Sequence, residues 1–209
     1  MINGTYSNEL IARIAETTKR LKQIGNNDIV STPKERQDLF QKQFTFSGIG
    51  HEQSISKVYK PFFGQECNIT DTTGADSFLD TKIGVDYIVS IKHKKLVADV
   101  DFWIQERFRK AKDQHYQSIT LIECNQHSGH LSEVYKTKAQ YLVYGYLEDD
   151  KENTLSQCIV VDLPGALQSI LTDKINFEVR TNSYTNQRFI TIQIEDLKTA
   201  GLICFSYDK

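Results

Sequence analysis

The feature that most restricts what this chain can fold into is a succession of short apolar runs rich in β-branched and aromatic residues. GVDYIVSI (84–91), LVADVDFWIQERF (96–108), SITLIEC (118–124), QYLVYGYL (140–147), QCIVVDL (157–163), NFEVR (176–180) and RFITIQI (188–194) are each of strand length. Polar, turn-forming segments bound them, which is the pattern of β-strands rather than of helices. Lys92-His93-Lys94-Lys95 reads as a hairpin turn between the first two runs, and 148–152 as an acidic surface turn. Helix signals lie among the strands: SEVYKTKA (132–139), started by Ser132 and Glu133, and a segment opened by Pro164 that runs through Leu171. This interleaving predicts a mixed sheet with helices packed on it, α/β or α+β.

The first forty-odd residues read differently. Leu10, Ile11, Ile14, Leu21 and Ile24 mark one helical face, with Ser7 as cap and Gly25 as stop. Thr32 caps a second short helix, with Pro33 in its first position, running through Phe40. A further helix spans 52–59 and ends near Pro61, and 64–76 is polar without periodicity. The expected organisation is a helical N-terminal appendage, residues 1–45, followed by an α/β domain, residues 46–209. A chain of 209 residues can bury roughly 70% of its unfolded surface in one core.

No apolar run approaches the ~18 residues of a membrane span, and the start lacks the basic-then-apolar order of a secretion signal. A cytoplasmic protein with no membrane partner is expected. The net charge of -2 gives no global field for nucleic acid, although a local basic patch remains open. Cys67, Cys124, Cys158 and Cys204 form no C-x-x-C pair, so reduced thiols are expected. His127 and His130 near Cys124 are a weak zinc signal, and loop histidines are the commoner reading.

Chemistry concentrates between Asp80 and Glu123. Asp80 and Asp86 flank Gly84 at the start of one strand; Gln105, Glu106 and Arg107 lie late on the next; Glu123 ends a third. Adjacent strands bring such positions within several ångströms of one another. Carboxylates gathered in apolar strands repel unless a cation joins them, and Mg²⁺ takes one or two carboxylates plus substrate phosphate. Ordinary turn residues and ion pairs such as Glu106 with Arg107 or Arg109 are the competing reading. Arg107, Arg109, Lys110 and Lys112 form the densest basic cluster, and Lys136 and Lys138 are further phosphate contacts.

The order of these pieces, a helix carrying Glu52, then Asp80 and Asp86 in DTKIGVDYIV, then a hairpin into IQERFR, resembles the PD-(D/E)XK nuclease superfamily. The wider run through SITLIEC and TKAQYLVYGY is similar to nuclease-like proteins over about 50–171. The resemblance implies a restriction-endonuclease-like core and metal-dependent hydrolysis of DNA, as in an endonuclease of restriction or phage type. It implies Mg²⁺, for which Mn²⁺ can substitute, and a homodimer able to cut both strands. Asp86 matches the family aspartate, and Gln105-Glu106-Arg107 occupies the [D/E/Q]-x-K element, with arginine at the lysine position. Catalysis then falls to Asp86, Gln105, Glu106 and Arg107. The metal falls to Asp86 with Glu106 or Glu123, and nucleic-acid contact to Arg109, Lys110, Lys136 and Lys138. Arginine stays charged, so it can position and stabilise but cannot deprotonate water. A relative that keeps the fold but only binds nucleic acid or protein is the alternative.

Alternation along the strand sends Gln105 and Arg107 to one face and Glu106 to the other. Trp103 joins the first face, while Ile104 and Phe108 feed the opposite, core side, which favours Gln105 and Arg107 as the site. Glu106 then requires a partner in the core.

Overall fold

The computed structural model describes residues 33–74, 77–125, 130–148, 153–182 and 185–209. The helix expected over 7–25, the 149–152 part of the acidic turn and His127 lie outside them. The described chain opens with a long helix, α1 (Pro33–Ser54), which passes through one π-helical turn (Ile55–Tyr59) into a final turn, α2 (Lys60–Phe63). The two helices expected over 33–40 and 52–59 are thus one run, and position 45 falls inside it. Pro61 is carried without a break because the preceding turn is wide: Lys60 donates its N–H to Ile55 O, and the proline that follows has no N–H to place.

Ten strands follow. β1 (Asn68–Asp71), β2 (Tyr87–Ile91), β3 (Val100–Lys110), β6 (Tyr141–Leu147), β7 (Leu155–Asp162) and β10 (Ile203–Asp208) form a six-stranded sheet in the order β1-β2-β3-β6-β7-β10. β3 and β6 run parallel and every other pair is antiparallel, so the sheet is mixed. β5 (His130–Leu131), β4 (Ser118–Asn125), β9 (Gln187–Gln193) and β8 (Glu178–Asn182) make a second, antiparallel sheet in that order. Short helices α3 (Glu133–Lys136), α4 (Leu163–Leu171) and α5 (Ile194–Thr199) complete the α/β fold. No described helix is long and apolar enough to cross a membrane. Four free thiols fit the expectation of reduced cysteines, with Cys124 and Cys158 buried and Cys204 exposed.

Strand chemistry explains most of this order. β6 is buried along nearly its whole length and therefore apolar on both faces, the signature of a central strand. Pro164 opens α4 as expected, and the Asp162 carboxylate caps it by accepting the Gly165 N–H at 3.1 Å. β1 and β10 escape the sequence reading: β1 is short, mostly exposed and polar, and β10 alternates exposed and half-buried residues at the opposite edge.

Two cores flank the six-stranded sheet. On one face Ile104, Phe108, Val143, Leu155 and Val160 pack with Val58 and Tyr59 of the π-helical turn. On the other, Leu142, Tyr144 and Val161 pack with Ile119, Leu121, Ile190 and Ile192 of the second sheet. The approach of α1 depends on small residues: a Cβ at Gly50 would lie 2.5 Å from the Phe108 ring, and one at Gly145 would lie 2.8 Å from it. Phe108 is held between the two glycines, which brings the His51 turn of α1 down onto β3.

Candidate functional site

β3 distributes its polar side chains between the two faces. Glu106 points to α1, where Tyr59 OH donates to Oε1 at 2.5 Å, Ser54 Oγ donates at 3.2 Å, and His51 Nδ1 lies 3.1 Å from each oxygen. Its side chain is 5% exposed. The His51 ring stacks on Tyr87 at 3.6 Å, and burial together with the Glu106 charge holds the Tyr59 hydroxyl well above the usual tyrosine range. This is the core partner that a mid-strand glutamate requires. The expected metal ligand Glu106 therefore has its carboxylate engaged by three side chains of the helical run.

Gln105 and Arg107 leave the strand on the opposite face, in line with Trp103 and Arg109. Gln105 is 4% exposed, and its Oε1 is buried without a hydrogen-bond partner. Arg107 pairs through Nη2 with Glu133 of α3, whose other oxygen accepts the Ile122 N–H at 2.7 Å. Glu133 thus ties β3 to β4.

Asp86 stands just before β2, and its N–H donates to Ile104 O at 2.8 Å, so it and Tyr87 both face Ile104 of β3. Gly84 makes the turn into it with φ of 67°, a left-handed conformation that glycine adopts without strain. Asp86 Oδ2 accepts the backbone N–H of Glu106 at 2.7 Å. Burial pushes its carboxyl up to about 7, the fields of Asp80, Glu106 and Glu133 add to the rise, and the Glu106 N–H opposes it. Asp80 is occupied, its Oδ2 accepting the Gly74 N–H at 2.9 Å.

The remaining expected residues are dispersed. Glu123 sits at an irregularity in the β4–β9 register, paired with Arg188 and hydrogen-bonded by Tyr135 OH at 2.8 Å. Lys136 donates to Thr81 O at 2.8 Å, while Lys138 and Lys110 are exposed. Glu52 on α1 is exposed, and so is the 92–95 turn. The structure therefore sets Asp86 against the Glu106 backbone of β3, sends Gln105 and Arg107 to the face away from α1, and gives Glu106 and Glu123 other partners. Sequence reasoning took Glu133 only as a helix start and missed His51, Ser54 and Tyr59. A usable signal was present: these three recur at helical spacing on one face and lie opposite a strand carboxylate.

Among the described residues no three His, Cys, Asp or Glu side chains converge as a metal-binding group. The Asp86 carboxyl and the orphaned Gln105 Oε1 are both hard oxygen donors of the kind Mg²⁺ accepts. Compared with protein-family models, with curated proteins and with solved structures, the chain has no match in any of the three.

Proposed function

We propose that this chain is a metal-dependent phosphodiesterase acting on DNA, an endonuclease whose centre is Asp86, Gln105 and Arg107. The observation that supports it most directly is a carboxyl, raised to about 7, that accepts the Glu106 N–H, next in sequence to Gln105 with its buried, unpartnered amide oxygen. Each is unfavourable alone, and a divalent cation would relieve both. Asp86 and Gln105 would hold Mg²⁺ or Mn²⁺, with substrate oxygens and water completing the shell. A cation held there acidifies a bound water and neutralises phosphate charge. Asp86, steadied by the Glu106 N–H, keeps that position fixed, and Arg107 stabilises the negative charge that grows on the phosphorus oxygens. Arg109, Lys110, Lys136 and Lys138 lend phosphate contacts, and a homodimer brings two centres to the two strands.

A second reading has its own observation. Arg107 stands where the resemblance calls for lysine and is held by Glu133, so a nucleic-acid-binding module without cleavage is the alternative. Cleavage of plasmid and oligonucleotides in Mg²⁺ or Mn²⁺, with EDTA and Asp86→Ala controls, separates the two. Metal-dependent cutting that disappears in the variant supports the enzyme. A well-folded protein that cuts no duplex, single-stranded or RNA substrate supports the module.

A further inference from the structure

We propose that the cavity between β3 and the second sheet is a binding site for a phosphate group, with Arg109 as its cation. The cavity has a volume of about 200 Å³, and its walls include Arg107, Arg109, Thr120, Asn182, Gln187 and Phe189. Among the described residues no aspartate or glutamate lines it, and guanidinium, hydroxyl and amide groups face whatever enters.

The charge arithmetic of its neighbourhood selects Arg109. Arg107 has Glu133, Arg180 has Glu178 and Arg188 has Glu123. Arg109 makes its direct hydrogen bonds to hydroxyls, donating from Nε to Tyr144 OH at 3.3 Å and from Nη2 to Thr120 Oγ1 at 3.2 Å, while the Asp113 carboxylate acts on it through its field and not as an ion pair. It is half-buried, and a guanidinium remains charged in any such setting. A half-buried cation whose direct partners are hydroxyls, with its carboxylate neighbour out of ion-pair contact, keeps donors available to an anion that enters the cavity. A guanidinium has five N–H donors in a planar fork suited to phosphate oxygens, and these two bonds leave most of the fork available.

The second sheet extends the polar lining. Thr120 is in register with Thr191, whose Oγ1 is buried without a hydrogen-bond partner, and Ile122 with Phe189. Register partners share a face, so one face of β4 and β9 carries hydroxyls and an aromatic ring while Ile119, Leu121, Ile190 and Ile192 occupy the apolar core.

This site needs neither a metal nor cleavage; it shares Arg107 with the proposed centre and deepens the phosphate contact proposed there for Arg109, and binding in EDTA tests it separately from that reading. The phosphate can be free or belong to a nucleic-acid strand, and the test has an arm for each. The full chain, in EDTA and low salt, is titrated with inorganic phosphate by calorimetry and by the ¹⁵N resonance of Arg109 Nε. Saturable binding that moves this resonance is expected, together with at least a tenfold loss of affinity in Arg109→Gln and wild-type binding in Asp86→Asn. A short single-stranded oligonucleotide that displaces the phosphate identifies a strand as the source, and failure to displace it identifies free phosphate. No saturable binding by the wild type, or an Arg109 resonance that stays in place at saturation, overturns the proposal, and that readout requires no variant to fold. Binding that tightens in Asp86→Asn and is unchanged in Arg109→Gln also overturns it, because the anion would then sit beside Asp86, whose charge repels it.

Discussion

The two faces of β3 are made from the same strand by alternation and have reached opposite electrostatic ends. Toward α1, the Glu106 carboxylate is surrounded by Tyr59, Ser54 and His51, and Phe108 is enclosed between Gly50 and Gly145. Toward the second sheet, Gln105 Oε1 has no donor and Arg109 bonds hydroxyls with no carboxylate in ion-pair contact, and before β2 the Asp86 carboxylate accepts a backbone N–H of β3. The first arrangement is complete in itself, as buried polar groups in a stable core are. The second is complete only with something added. Buried polar groups left open cost stability, so the side of the strand that carries the unsatisfied groups is where binding should be sought.

The largest test of this contrast removes Asp86. In an active enzyme Asp86→Ala should lower metal-dependent cleavage by on the order of 10³-fold or more, since the cation's effect on water and phosphate is worth several kcal/mol. Circular dichroism should remain that of the wild type. Glu106→Ala tests the other face and should behave in the reverse way. It leaves a tyrosine hydroxyl and an imidazole without their shared acceptor, while Ser54 Oγ keeps His51 O at 2.8 Å, at a cost of about 3 kcal/mol of stability in urea unfolding. If Glu106→Ala instead abolishes metal binding in a protein of unchanged stability, the division between the faces is wrong.

What the sequence disclosed follows the same division. Periodicity placed β2, β3, β4, β6 and β7, because an apolar run long enough to be buried has few other fates. Alternation also assigned Gln105, Arg107 and Trp103 to one face and Ile104 and Phe108 to the other, from the size and polarity of side chains alone. It could not say what Glu106 meets, because His51, Ser54 and Tyr59 come from a helix about fifty residues earlier, and that approach depends on two glycines on different elements. Glu123 was a reasonable ligand by position, yet Arg188, 65 residues later, takes it through the β4–β9 register. Edge strands β1 and β10 stayed hidden because partial exposure relaxes the demand for apolar residues.

The protonation of Asp86 offers a test that requires no substrate. Its folded value of about 7 lies above the 3.8 of the unfolded chain, so the native state holds a proton that the unfolded state releases. The stability from this group is fully present below pH ~4, falls as pH rises toward 7, and is gone above that. Asp86→Asn can still accept the Glu106 N–H and carries no charge, so it should stabilise the metal-free protein at pH 8 by about 2 kcal/mol and flatten the pH dependence. Adding Mg²⁺ at pH 8 should raise the melting temperature of the wild type and leave Asp86→Asn where it was. Equal responses would mean that the cation binds elsewhere.

The smallest expected effect is also the most discriminating. Gln105→Met keeps nearly the same volume, retains the apolar stem and deletes the one buried oxygen on this face that has no donor. If Gln105 were only a core residue, losing an unsatisfied polar atom should be neutral or stabilising, within about 1 kcal/mol. If its oxygen serves a cation beside Asp86, the same change should weaken Mn²⁺ binding by about tenfold, or about 1.4 kcal/mol, with unfolding unaltered. Calorimetric titration with Mn²⁺ alongside urea melts reads both quantities on one protein. A stable Gln105→Met variant that binds Mn²⁺ as the wild type does would remove the amide from the site and leave Asp86 to act without it. A variant that is stable yet binds weakly would show that the face of β3 away from α1 gives up stability for a ligand, which the Glu106 face does not.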